Sequence, residues 1–478
     1  MNWMFNLGAV AQLGERRVRN AEVRGSIPLG STKRLTIQSP LDELNPLHCG
    51  FFIALSALVA LGGGFLSKRD ESRMKPLTHP IVSRRHHWIN ALPILLALAL
   101  SIPSARAADP VAQVKGMEQA SLLLEERGRD LVAHHPDTPR VPASTMKLLT
   151  AFAALETWGR DYRFQTDFHQ DGAGWLWVKG YADPYLVSEE LDRMVAALAS
   201  KGLREVAGIG IDDSFFSPDV EIAGRSSSDN PYDAPVTALA ANFNTLSLVR
   251  TGDQVRSAEP QTPLTATARR VGLAGAAGKQ RVNLREREVA LRYFGELLAA
   301  KLEQAGVRVG NQWKIAPMPR HAKRFYRHAN SRTLVEIVEP MLKFSNNFIA
   351  NALFLRLADP AGNTGVNMVD ARRGMTDFAR RRFGWREFRI EDGAGLSRGN
   401  RLSARQLVEL LEAFAPYRNL LSEQDGNPHV RAKTGTLRGV SCYAGYVRRE
   451  SAWLPFALLI NQPAESPLRQ RVASSLAR

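Results

Sequence analysis

The chain has 478 residues, of which 44% are apolar and 23% charged, an ordinary globular composition with room for two or three domains and a sizeable core. The formal net charge is +16, but residues 1–107 hold 13 Lys+Arg against 6 Asp+Glu, so the remainder carries only +9. That excess is scattered rather than clustered, which fits an anionic surrounding and argues against a nucleic-acid site.

Residues 74–107 read as a secretory signal peptide. Lys75, Arg84 and Arg85 give a positive start, an apolar stretch over 89–102 is broken by Asn90 and Pro93, and Ala105-Arg106-Ala107 is an A-x-A cleavage site. The stretch is short for a bilayer span, so the expectation is export to the periplasm and a mature chain without a transmembrane segment, with an uncleaved anchor as the alternative. Residues 1–73 then have no place in front of a signal. The run 8–32 resembles the translation of a transfer-RNA gene, so 1–73 are expected not to belong to the protein and Met74 to be its start. The competing reading takes 51–66 as a membrane segment, weakened by Gly62-Gly63-Gly64. Of Cys49 and Cys442 only the second survives processing, which leaves no intrachain disulfide. The six remaining histidines, at 134, 135, 169, 321, 328 and 429, show no zinc-ligand spacing, and no metal or other cofactor is expected.

In the mature chain, 120–124 and 131–133 flank a polar turn and predict a hairpin. Next comes Val141-Pro142-Ala143-Ser144-Thr145-Met146-Lys147 and then the apolar run 148–155, which predicts a buried helix starting near Pro142. Ser144 and Lys147, three residues apart, share a helix face. A serine needs an adjacent base to become a nucleophile, and a lysine can be that base only if burial or a second cation lowers its pKa. Residues 162–325 alternate strand-like pieces (174–178, 206–211) with helices at about 188–201 and 287–305, while 257–280 is Ala/Thr/Gly-rich and reads as loop. The chemistry resumes at Ser345-Asn346-Asn347, Asp392-Gly393-Ala394-Gly395-Leu396-Ser397-Arg398 and Lys433-Thr434-Gly435-Thr436. Strands over 442–447 and 456–460 and a closing helix follow. Ser-x-x-Lys arises by chance about twice in such a chain and Lys-Thr-Gly in about one chain in ten. The ordered set Ser-x-x-Lys, Ser-x-Asn, Lys-Thr-Gly carries the weight.

Over residues 115–470 the sequence resembles the serine-type D-alanyl-D-alanine carboxypeptidases and endopeptidases of the class C low-molecular-weight penicillin-binding proteins. Beyond the three motifs, 212–216 (DDSFF), 231–235 (PYDAP), 241–244 (ANFN) and 392–398 match as well. The resemblance implies an α+β fold: a penicillin-binding/β-lactamase-like transpeptidase domain, an antiparallel sheet flanked by helices, built from 108–160 and 326–478. A mixed, β-rich insert over 161–325 interrupts it. The 197 residues between Lys147 and Ser345 are fewer than the longest members carry, so a third subdomain is reduced or missing.

The resemblance also implies roles. Ser144 attacks the D-Ala carbonyl, with Lys147 as its base and Lys433 depressing that base's pKa. Ser345 passes a proton to the leaving amine, and Asn347 holds the substrate amide. Lys433 and Thr434 bind the terminal carboxylate of substrate or penicillin, Gly435 allows close backbone approach, and the N–H groups of Ser144 and Thr436 form the oxyanion hole. Asp212 or Asp213, Phe216 and Arg398 grip the free end of the diamino acid; alternatively Asp213-Ser214 makes a turn and Phe216 fills the core. The implied partners are peptidoglycan stem peptides and β-lactams, with peripheral membrane or cell-wall association and no nucleic acid. A β-lactamase-like hydrolase and a catalytically silent wall-binding scaffold are the rival readings.

Overall fold

The computed structural model describes residues 109–478 apart from Thr364 and Asp425; the expectations for the gene start, the 51–66 segment, the signal peptide and Cys49 lie outside the described residues. Ala108–Arg478 fall within one compact unit. A short helix α1 (Pro110–Lys115) precedes the expected hairpin of β1 (Ala120–Glu126) and β2 (Arg129–His134). Its turn is tighter than expected, with both Arg127 and Gly128 at positive φ (51° and 79°), the backbone a two-residue hairpin turn demands.

A 3-10 turn at Ala143–Met146 runs into helix α2 (Lys147–Trp158), where every side chain from Lys147 to Leu155 is buried. An all-round apolar helix has to be enclosed, and α6 (Leu334–Lys343), α7 (Asn347–Arg356) and α9 (Ala404–Phe414) enclose it, with α8 (Met368–Phe383) packed on α7. Capping boxes at Thr333–Glu336 and Ser403–Gln406 fix the starts of α6 and α9. The chain then returns through β11 (Glu423–Gln424), β12 (Asn427–Leu437), β13 (Val440–Arg449) and β14 (Ala452–Ile460) to α10 (Leu468–Leu476). The sheet order is β11-β12-β13-β14-β1-β2, antiparallel throughout, with Ala120 opposite Ile460. The first strand of the unit therefore seals the last.

Between α2 and α6 lies a second, five-stranded sheet ordered β10-β3-β4-β5-β9. It is made of β3 (Gln165–Gln170), β4 (Trp175–Gly180), β5 (Glu205–Asp212), β9 (Arg308–Ile315) and β10 (Lys323–Ala329). β4, β5 and β9 run parallel, and β3 is antiparallel to both neighbours. Helices α3 (Ser188–Ser200) and α5 (Arg287–Gln304) cover one face through Leu176, Val178, Ile209 and Ile211. Because β10 pairs with β3, this sheet runs four residues past position 325, and the chain rejoins the helical layer only where Leu334 N–H donates to the Tyr162 carbonyl (2.7 Å).

One expectation is overturned. The stretch 257–280 is not loop: it holds helix α4 (Ala266–Ala274) between β7 (Gln254–Ser257) and β8 (Gly278–Asn283), and β7 and β8 flank β6 (Thr245–Thr251) in a three-stranded sheet. The face α4 buries is made of Thr267, Ala268 and Gly272, too small to register as an apolar stripe. A Cβ at Gly272 would fall 2.5 Å from Val255, so the helix sits directly on β7. Thr265 caps it at Ala268 N–H (3.1 Å).

The segment after β5 is tied down by a buried pair. Asp213, 3% exposed, accepts from the Ala238 and Leu239 N–H groups (2.6 and 3.2 Å) and from Arg287 Nε (2.7 Å). Removing the cation leaves that carboxylate buried without its counter-charge. Arg287→Ala is expected to lower the unfolding free energy by about 3 kcal/mol, measured by denaturant titration; a loss below about 1 kcal/mol contradicts this role.

Candidate active site

The 3-10 turn presents Ser144, half-buried, while Lys147 at the next turn is fully enclosed. Ala143 takes a left-handed φ of 47°, and the 3-10 turn that it opens packs on β12 and β13. Lys147 Nζ has three partners: Ser144 Oγ at 3.0 Å, Asn347 Oδ1 at 2.8 Å and the Ala394 carbonyl at 2.8 Å. Burial drives its pKa well below the usual lysine range, and the nearby Lys433 ammonium pushes the same way, against a smaller opposing pull from Asp392. A neutral amine keeps two N–H donors for Asn347 and Ala394 and turns its lone pair to the Ser144 hydroxyl.

Lys433, on β12 and 3% exposed, donates to Ser345 Oγ and to the Thr434 carbonyl, both at 2.9 Å. Ser345 stands at φ 54°, strained backbone of the kind found where geometry is enforced. Asn346 caps α7 through Ile349 N–H (3.0 Å), placing Asn347 at the first helical position with its carboxamide towards Lys147. The three motifs thus converge: Ser144, Lys147 and Asn347 form one hydrogen-bonded set, Ser345 and Lys433 a second, and the two lysine charges feel each other.

Gly435 joins β12 to this centre. A Cβ there would lie 2.8 Å from the Pro142 carbonyl and 3.1 Å from Ser144 N, so only glycine lets the strand run this close. Thr434 is half-buried and Thr436 exposed on the same strand. Behind Thr436, the buried Arg469 of α10 donates to its Oγ1 (2.9 Å).

The loop 392–398 supplies the third partner of Lys147. Asp392 is fully buried and gathers the loop's own N–H groups: Oδ1 accepts from Ala394, Gly395 and Leu396, and Oδ2 from Ser397 and the Asn400 carboxamide. Thr150 Oγ1 donates to the Gly393 carbonyl (2.7 Å) and Asn351 Oδ1 accepts from Gly393 N–H (2.9 Å), fixing the loop to α2 and α7. Arg398 is exposed and donates to the Arg438 carbonyl in the turn after β12.

Asp212, Asp213 and Phe216 are not presented in the same way. Asp212, 2% exposed, accepts from Ser214 N–H and Met318 N–H (both 3.0 Å) with Lys179 at 3.8 Å. Asp213 is committed to Arg287 and the 238–239 backbone. Phe216, 1% exposed, packs in the core against Phe215 (ring centroids 5.3 Å apart). The turn-and-core alternative fits these three residues, because burial and internal contacts occupy Asp212, Asp213 and Phe216, while Arg398 alone of the expected group is exposed. Conversely, motif spacing gave no sign of the Ala394 carbonyl, of the Tyr232 carbonyl that accepts from Asn347 Nδ2 (3.1 Å), or of Arg469. Backbone acceptors carry no residue signature, and Arg469 lies in a helix with no catalytic pattern.

Comparison with known proteins identifies the family and the fold. A model of the D-Ala-D-Ala carboxypeptidase 3 (S13) family matches residues 109–427. A D-alanyl-D-alanine carboxypeptidase from Actinomadura sp. (strain R39) is 28% identical over 435 residues, covering 73% of this chain and 79% of that protein. D-alanyl-D-alanine carboxypeptidase DacB from Haemophilus influenzae is 24% identical over 386 residues, covering 66% and 78%. The crystal structure of penicillin binding protein 4 (dacB) from Haemophilus influenzae superposes with a TM-score of 0.62 at 18% identity, over 77% of this chain and 97% of that one.

Gly395 tests how the site depends on its loop. Its φ is 80°, and a Cβ would fall 1.8 Å from the Ala143 carbonyl. Gly395→Ala is expected to cost about 2 kcal/mol or more and to displace the Ala394 carbonyl, abolishing covalent labelling of Ser144 by an active-site acylating agent. Wild-type labelling in a folded Gly395→Ala protein contradicts it.

Proposed function

The chain belongs to the D-Ala-D-Ala carboxypeptidase 3 (S13) family, and from that premise we propose that it is a serine-type DD-peptidase. It cleaves the D-Ala-D-Ala bond of peptidoglycan stem peptides through an acyl-enzyme on Ser144. The observation that carries this is the enclosed Lys147 amine, 3.0 Å from Ser144 Oγ, with its pKa driven down by burial and by Lys433.

Neutral Lys147 takes the Ser144 proton as Oγ attacks the penultimate D-Ala carbonyl. The oxyanion that forms is received by the N–H groups of Ser144 and Thr436, a contribution of about 3–4 kcal/mol per donor in comparable sites; the approach of Gly435 to Ser144 N supports that placement. Ser345, hydrogen-bonded to Lys433, passes its proton to the departing amine as the C–N bond breaks and is reprotonated by the proton Lys147 took up, which leaves Lys147 neutral again. Water then attacks the ester and returns the Ser144 hydroxyl. Asn347 holds the substrate amide through its remaining N–H, while Lys433 and Thr434 receive the terminal carboxylate. β-Lactams follow the same route, with the leaving amine still tethered to the acyl group. A cross-link between D-Ala and a diamino acid offers the same carbonyl, so endopeptidase action uses the same groups. Of the residues expected to grip the diamino acid, Arg398 is exposed at the rim. The leader-like stretch 74–107 supports periplasmic action, and the mature excess of +9 supports peripheral association with an anionic envelope.

Mass spectrometry of residues 108–478 incubated with penicillin tests the reading. The expected result is one long-lived adduct on the peptide holding Ser144, absent from Ser144→Ala. No adduct together with free penicilloate in solution points to a β-lactamase-like hydrolase, and no adduct without it contradicts the enzyme.

A further inference from the structure

Two stretches matched in the sequence, 231–235 and 241–244, take no part in the acyl transfer, yet both lead to the second motif. From 224 to 233 the chain forms a strap held from within. Asp233 accepts from Ser226 N–H (3.0 Å), from Ser226 Oγ (2.6 Å) and from Ser228 Oγ. Asn283, at the end of β8, donates to the Ser228 and Asn230 carbonyls (2.8 and 2.6 Å).

One end of this strap meets Asn347, which holds Lys147, and the other meets the loop whose Ala394 carbonyl holds it too. At one end the Tyr232 carbonyl accepts from Asn347 Nδ2 (3.1 Å), and the oxygen of that same carboxamide accepts from Lys147. A carbonyl can only accept, so it selects the rotamer that sends the NH2 to Tyr232 and the oxygen to Lys147. The flipped carboxamide would aim two N–H donors at the lysine. At the other end Gly224, at φ 81°, lies against the 392–398 loop so closely that a Cβ would fall 2.6 Å from Leu396 C and Ser397 N. Alongside, Asn242, Phe243 and Asn244 stand in succession at φ 51°, 62° and 53°, an arrangement costing about 1–2 kcal/mol per residue. It brings Phe243 edge-on to Phe348, the residue after Asn347, with ring centroids 6.1 Å apart.

We propose that the 224–233 strap is a positioning element for Lys147, with Asp233 and Asn283 as positioning residues that act through Asn347 and through the loop carrying Ala394. The proposal rests on the acyl-serine reading above and gives the inserted segment a part in the chemical step itself.

Stopped-flow acylation by a chromogenic β-lactam separates the dissociation constant of the initial complex from the first-order acylation constant. Asp233→Ala is expected to lower the acylation constant about tenfold while the dissociation constant stays within about twofold. Asp233→Asn recovers most of the rate, because its oxygen still accepts from Ser226 N–H and the serine hydroxyls can turn to accept from its NH2. Gly224→Ala, which presses on the loop from the other end, produces the same split. Melting temperatures show which variants are folded, and if Asp233→Ala is not, Ser226→Ala removes a single side-chain bond of the strap in its place. Wild-type acylation constants in the folded variants, or a change confined to the dissociation constant, overturn the proposal. No acylation of the wild-type protein overturns the acyl-serine reading itself, so the two failures are told apart.

Discussion

Everything at the centre of this molecule depends on enclosing one lysine. Burying an ammonium carries a large desolvation cost, which falls if the group sheds its proton or finds acceptors for every N–H. Lys147 has both routes: three oxygens within 3.0 Å, and a second cation, Lys433, that makes the charged form still less favourable. An amine in that position is a base at a pH where an exposed lysine is an acid, and the oxygen it faces belongs to Ser144.

Much of the surrounding architecture serves that enclosure. The three acceptors come from three parts of the chain: the turn before α2, the start of α7 and the 392–398 loop. Three backbone positions of positive φ bring them together, at Ala143, Ser345 and Gly395. Two of those are not glycine, and such strain persists only where the surroundings over-determine it. Here they do: Asp392 ties its loop with five hydrogen bonds, and Asn346 caps α7. The antiparallel sheet contributes Lys433 and Gly435 from one strand, paired there with Ala444 and Cys442 of β13.

The transpeptidase-like part was legible in the sequence because its signals are side chains. Ser144, Lys147, Ser345, Asn347 and Lys433 announce themselves by type and spacing, and the apolar run after Lys147 predicts its own burial. The hairpin at 120–134 and the closing strands followed from short apolar runs, the hairpin's set on either side of a polar turn. What stayed hidden works through small residues or backbone. Helix α4 buries Thr267, Ala268 and Gly272, which carry almost no apolar signal. The acceptors at Ala394 and Tyr232 are carbonyls that any residue would offer. Asp213 and Phe216 show the limit of side-chain type alone: a carboxylate and an aromatic ring in a matched stretch invite a ligand-binding role, while in the fold they are buried against Arg287 and the core.

The central claim is that Lys147 is neutral where an ordinary lysine is charged. Its most direct test is NMR titration of the protein carrying 13C at the lysine Cε positions, with the Lys147 resonance assigned by its absence in Lys147→Arg. The account predicts a titration step well below the usual lysine range, moving upward in Lys433→Met as the second cation is removed. A Lys147 resonance that titrates with the exposed lysines, indifferent to position 433, would contradict it.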